Sequence, residues 1–229
     1  MEKSNSTPAQ ILKNMLLAAF GLFSFGCGIY LVIQANIGVS PWDVLSLGLS
    51  ATTGISYGNI SVISSAVIIC IDLMLKERIG FGTILDAVIV GKTVDLLVWL
   101  DPIQPLQNLW ASIALIVVAE LIMGFAVCIY MMAGLCCGPR DSLTIGIGRR
   151  LKKIPIGWVN NIILMIALFF GWRLGGPVGI GTVISTLLSG IMMELAFKVM
   201  NFKPKNVIHQ GFFESIKVLT GKGQQEGAK

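Results

Sequence analysis

Apolar residues fall into long unbroken runs along this chain, not into the alternating or one-face patterns of soluble strands and helices. Six runs are long enough to cross a hydrocarbon core as helices. They cover residues 14–36, 57–75, 82–100, 109–133, 157–174 and 179–200. Two shorter segments interrupt them. GVSPWDVLSLGLSATTGIS lies between the first and second runs, and CCGPRDSLTIGIGRRLKKIP between the fourth and fifth. Both are too mixed and too short to span. The first run follows a polar stretch, MEKSNSTPAQILKN, and no small-residue cleavage site closes it. It therefore reads as a spanning helix and not as a removed signal peptide.

Composition agrees with this reading. Of 229 residues, 55% are hydrophobic and 13% charged, against about 25% charged in a soluble domain. The mean hydropathy is +0.81. These values exclude an ordinary soluble enzyme, a disordered chain and a nucleic-acid binder, and they make the lipid bilayer the first partner. The net charge of +5 reports topology, because the basic residues sit in the loops and tails. With the N-terminus inside, 15 Lys and Arg fall on the inner side, Arg173 alone falls outside, and Lys92 lies within a span. The positive-inside rule then puts both termini in the cytoplasm. An eight-span alternative would move Lys76 and Arg78 outside.

The two halves of the chain match. Pro41-Trp42-Asp43-x-Leu45-x-x-Gly48 recurs as Pro139-Arg140-Asp141-x-Leu143-x-x-Gly146. Gly58 recurs as Gly157, and Gly80-Phe81-Gly82-Thr83 as Gly179-Ile180-Gly181-Thr182. Gly91 matches Gly190, Asp95 matches Glu194, and Phe25, Ile29 and Tyr30 match Phe125, Ile129 and Tyr130. Each unit holds three spans, and an odd number inserts the second copy upside down, as in many transporters. The expected fold is an all-α membrane protein of six transmembrane helices. They form two inverted three-helix repeats, each with a short PxD-capped helix after its first span. The divisions are a cytoplasmic N-terminus 1–13, a first repeat 14–100, an external linker 101–108, a second repeat 109–200 and a basic cytoplasmic tail 201–229.

In each PxD motif the chemistry is that of a helix start. Ser40 is a good N-cap, Pro41 suits the first helical position, and Asp43 can reach back to the cap as in a capping box. The first short helix is predicted from Pro41 to about Thr53. In the second copy Gly138 precedes Pro139 and Asp141. About twelve residues at 1.5 Å each reach about 18 Å, roughly half a bilayer. Either both helices lie flat at the surface, or both re-enter as broken helices with their N-termini near a polar centre. Irregular backbone at membrane depth requires burial in protein or a cavity to line.

Ionisable residues within spans are costly and tend to be functional. Lys92 and Asp95 are three apart on one helical face and are placed to pair. Glu194 matches Asp95, and Glu120 lies mid-span with no acidic counterpart. Asp72 is expected at the inner interface near Lys76, and Asp86 falls in the third span. The candidate solute or proton pathway is Asp43, Asp141, Glu120, Lys92, Asp95 and Glu194, with Glu120 the first choice as proton carrier. The helix-capping set is Ser40, Pro41, Trp42, Pro139 and Arg140. Asn160 and Asn161 add polar groups to the fifth span. The five cysteines lack metal-site spacing, and no metal or cofactor is expected. Cys136 and Cys137 are adjacent. In the tail, VIHQGFFESIKVL suits a short amphipathic helix on the inner leaflet, with His209, the sole histidine, in solvent.

The run Gly38-Val39-Ser40-Pro41-Trp42-Asp43-Val44-Leu45, with Gly48-Leu49-Ser50, Thr53-Gly54, Gly80-x-Gly82-Thr83 and Gly91-x-x-x-Asp95, resembles the bacterial YczE/YyaS/YitT family of membrane proteins. The resemblance covers roughly residues 14–200. It implies a small protein of the bacterial cytoplasmic membrane with about six helices, and it brings no catalytic residue. That family's pattern has an amide where this chain has Asp86. No HExxH, no GxSxG and no histidine within a span is present, so an enzyme is not expected. The first functional expectation is a transporter or permease for a small solute, proton-coupled through a buried acid. The alternative is a non-transporting membrane factor that supports another complex. A homo-oligomer is compatible with either.

Overall fold

A computed structural model describes residues 8–77, 79–135, 138–151 and 154–202. Arg78, Cys136, Cys137, Lys152, Lys153, residues 1–7 and the tail from 203, with His209 and the amphipathic segment, lie outside the described residues.

Eight helices form and, among the described residues, no strand: α1 Pro8–Ala35, α2 Pro41–Thr53, α3 Tyr57–Met74, α4 Phe81–Leu100, α5 Leu109–Met132, α6 Pro139–Arg150, α7 Ile156–Arg173 and α8 Ile180–Val199. α1, α3, α5, α7 and α8 are long and apolar enough to cross a membrane. α4 has the length, 20 residues, but carries Asp86, Lys92 and Asp95. The apolar runs locate the long helices to within a residue or two, except that α1 begins at Pro8 and so includes a polar first turn.

Local chemistry sets the ends. Ser56 caps α3 by accepting the Asn59 N–H, and Asn108 caps α5 through Trp110 and Ala111. Gly54 ends α2 at φ +72°, a left-handed C-cap that glycine adopts without strain. The Gly80 and Gly179 N–H groups donate to Thr83 Oγ1 at 3.3 Å and Thr182 Oγ1 at 3.2 Å, so α4 and α8 start in the same way. One expectation fails here. Asp43 does not close a capping box, and Ser40 makes no side-chain cap. Instead Ser40 Oγ donates to Asp43 Oδ2 at 2.6 Å. The carboxylate takes the hydroxyl and so turns away from the backbone.

α1 and α5 form the central pair. Gly21 faces Ala126 and Tyr130, and Gly28 faces Ala119 and Met123, so the two helices run antiparallel. Small residues let the backbones approach. α4 lies on α1 and α8 on α5, while α2 packs on α7 and α6 on α3. Each short helix therefore docks on the other half of the chain. The connectors before them are pinned in matching fashion: the Gly181 N–H donates to Ile37 O at 2.7 Å and the Gly82 N–H to Leu135 O at 2.8 Å. Leu22, Ile29, Val32, Val44, Val94 and Ala119 fill the centre. Phe20, Met165, Phe169, Trp172 and Leu187 are exposed on the outside, as in a helix bundle whose solvent is lipid.

Candidate functional site

The N-termini of α2 and α6 open onto one cavity of about 490 Å³. Both short helices start at a proline after an extended residue, Ser40 or Gly138. Their first turns project Trp42 and Asp43 from one side, and Arg140 and Asp141 from the other. α3 adds Ser61 and Ser65, α4 adds Asp86, α5 adds Glu120 and Tyr130, α7 adds Asn160 and Asn161, and α8 adds Ser185, Thr186 and Ser189.

Asp43 is 4% exposed and is held from three sides. Ser40 Oγ donates at 2.6 Å, Tyr57 OH donates at 2.7 Å, and Arg140 Nη1 stands 4.0 Å away. The Arg140 guanidinium also lies 5.1 Å above the Trp42 ring, a cation–π distance. One arginine thus ties the two short helices together. Asp141 accepts from Tyr130 OH at 3.3 Å, and Thr144 Oγ1 donates to Asn160 Oδ1 at 3.4 Å. Asp86 Oδ2 sits where a Cβ on Gly138 would be 2.9 Å away. This accounts for glycine in place of serine in the second motif. Glu120 is 3% exposed, in the middle of α5. The buried Ser185 hydroxyl lies beside it.

Asp43, Asp141 and Glu120 are therefore brought together, with Ser40, Pro41, Trp42 and Arg140 of the capping set. Lys92, Asp95 and Glu194 are placed elsewhere. The i,i+3 pair does not form: Lys92 donates to Asn59 Oδ1 at 2.6 Å, and Asp95 accepts from Ser56 Oγ and the Gly58 N–H, both at 2.7 Å. A carboxylate facing the free N–H groups of a helix start finds better partners there than a lysine on its own exposed face. Glu194 pairs with Lys198 at 3.0 Å on the outside of α8. Asp72, expected near the interface, is fully buried and neither carboxylate oxygen has a hydrogen-bond partner. The end of α6 packs over that end of α3, where Arg149 meets Glu77 at 2.9 Å and Arg150 donates to Leu75 O at 3.0 Å.

Two site residues escape sequence reasoning. Tyr57 opens α3 and looks like any interfacial aromatic; only its reach to Asp43 reveals it. Asp86 carried a signal as an acid within a span, but the family's amide at that place argued against it. Among the described residues no group of His, Cys, Asp or Glu is arranged to hold a metal ion.

Apolar helices of spanning length around a polar interior define a multi-pass helical membrane protein. Within that class the chain belongs to the YczE/YyaS family: residues 12–198 match the model described as "Family of unknown function (DUF6198)". It is 30% identical over 178 residues to the uncharacterized membrane protein YczE of Bacillus subtilis, covering 77% of this chain and 81% of that one. It is 28% identical over 192 residues to the uncharacterized protein YyaS of Bacillus subtilis, at 81% and 94% coverage. An uncharacterized protein of Haemophilus influenzae is 27% identical over 188 residues, at 82% and 85% coverage. No solved structure matches the chain.

Proposed function

We propose that the protein is a proton-coupled carrier of a small solute, built from six spans in two inverted repeats with both termini in the cytoplasm. α4 is the sixth span. One observation carries the reading: the N-termini of two half-length helices, one from each half of the chain, meet at a buried polar cavity, where Arg140 bridges to Asp43 at 4.0 Å. Flat surface helices on opposite leaflets would not meet. The antiparallel α1 and α5 and the matched backbone pins support the inversion.

Charge balance points to the kind of solute. Helix N-termini favour anions, but four carboxylates, Asp43, Asp86, Glu120 and Asp141, face one guanidinium. Ionised together they overcome the dipoles and leave the cavity negative. A cation or protons must neutralise so many carboxylates in so confined a setting, so solute cation and proton compete for the same groups. Exchange of one for the other follows.

Proteoliposomes carrying an inward-acid pH gradient test this with permanently charged probes: tetramethylammonium, choline and guanidinium, with phosphate as the anionic control. Wild type should dissipate the gradient with at least one cation, and Glu120→Gln should not. Equal behaviour of the two would remove Glu120 from the mechanism. Wild-type vesicles that match protein-free ones for every probe would favour a non-transporting membrane factor.

A further inference from the structure

The two halves hold the same seam in different states. In the first half α3 packs along α4. A Cβ on Gly91 would lie 2.8 Å from the Gly58 carbonyl oxygen, and one on Gly58 would strike the Gly91 carbonyl. The contact therefore needs glycine on both sides. Next to it, Asp95 closes the start of α3 through Ser56 Oγ and the Gly58 N–H, and Lys92 reaches Asn59. In the second half the matched residues are Gly157, Gly190 and Glu194. There α7 and α8 barely touch. A Cβ at Gly157 or Gly190 would meet nothing within 4 Å. The Glu194 side chain is 69% exposed and, among the described residues, bonds only its own helix neighbour, Lys198. Asn161, Ser189 and Gly190 are exposed beside this gap and line the cavity.

Gly190 is the telling residue. Glycine in a helix interior is destabilising relative to alanine by up to about 1 kcal/mol, and nothing in this arrangement requires it. A closed α7–α8 seam, like the α3–α4 seam, would require it. We propose that Asp95 and Glu194 are twin gate latches. The α3–α4 seam closes on Asp95, the α7–α8 seam closes on Glu194 bonded to the Gly157 N–H, and the two close in alternation. The inference rests on the carrier reading. It also accounts for which seam is shut here. Asp95 has a hydroxyl partner in Ser56 and a supporting Lys92–Asn59 bond, whereas the matched positions are Pro155, Ile191 and Trp158, none of which can supply those bonds. With the N-terminus inside, the shut seam is the outer one and the cavity faces the cytoplasm.

Cross-linking tests the latches in a background with the five cysteines replaced. Asn59→Cys with Lys92→Cys reports the outer seam, and Trp158→Cys with Ile191→Cys the inner one; both inner positions are exposed. A short bismaleimide should join the outer pair readily and the inner pair weakly. Asp95→Asn should lower outer and raise inner cross-linking, changing the ratio of inner to outer about five-fold, the shift that one lost hydrogen bond makes in a two-state equilibrium. Ser56→Ala should act in the same direction without changing charge, and Glu194→Gln should lower inner cross-linking. An inner pair that never joins, or two pairs that respond alike, overturns the proposal. Should the paired variants not fold, hydrogen exchange of Ser56→Ala against wild type gives the same answer. Protection lost at the start of α3 and gained at the start of α7 supports the latches, and an unchanged α7 overturns them. Reciprocal cross-linking without ion flux removes the carrier reading and leaves the latches. Ion flux without inner cross-linking does the reverse.

Discussion

Arg140 stands in the second short helix where the first has Trp42, and this one difference shapes the cavity. The guanidinium covers the indole and approaches Asp43, a side chain otherwise satisfied only by hydroxyls. Removing one member of such a pair leaves the other buried and uncompensated, whereas removing both leaves neither. Arg140→Gln and Asp43→Asn should each destabilise the protein, and the double variant should recover part of the loss. The coupling expected from a double-mutant cycle in detergent is about 1–3 kcal/mol, and additivity would contradict the bridge. Asp72 is the opposite case, buried with no partner for either oxygen. Asp72→Asn should raise stability by about 1 kcal/mol, because a neutral amide costs less to desolvate than a carboxylate left without a partner. A loss on thermal unfolding would show that the charge has a structural use.

At the scale of elements, glycines decide which helices touch. A Cβ on Gly171 would fall 2.5 Å from the Leu45 nitrogen and 2.6 Å from Val44 carbon. Backbone cannot yield as a side chain can, so Gly171→Ala should cost about 1–3 kcal/mol by prying α2 from α7. Gly157→Ala, with open space around it, should cause no loss of stability; equal losses would show that packing there is not what the glycines serve. Much of this layer was legible. Proline after Ser40 or Gly138 marks both short helices, and the paired Gly-x-Gly-Thr runs mark the starts of α4 and α8. What local patterns could not carry is pairing across the chain. Asp95 and Glu194 match in sequence, yet one caps a neighbouring helix and the other bonds along its own. The spacing of Lys92 and Asp95 pointed to each other, and the N-terminus of α3 took Asp95 instead. Tyr57 gave no signal, because its partner lies on another helix.

For the molecule as a whole, the account comes down to where water reaches. If two half-helices meet at a wet cavity whose outer seam is shut, residues on its α7 wall face the cytoplasm. Asn161→Cys in the cysteine-replaced background, probed with a membrane-impermeant maleimide, reads this directly. The label should enter in inside-out vesicles and be excluded in right-side-out vesicles. Labelling from neither side would mean a dry interior and would contradict a carrier, and labelling from the outside alone would contradict the orientation and the state assigned to the seams.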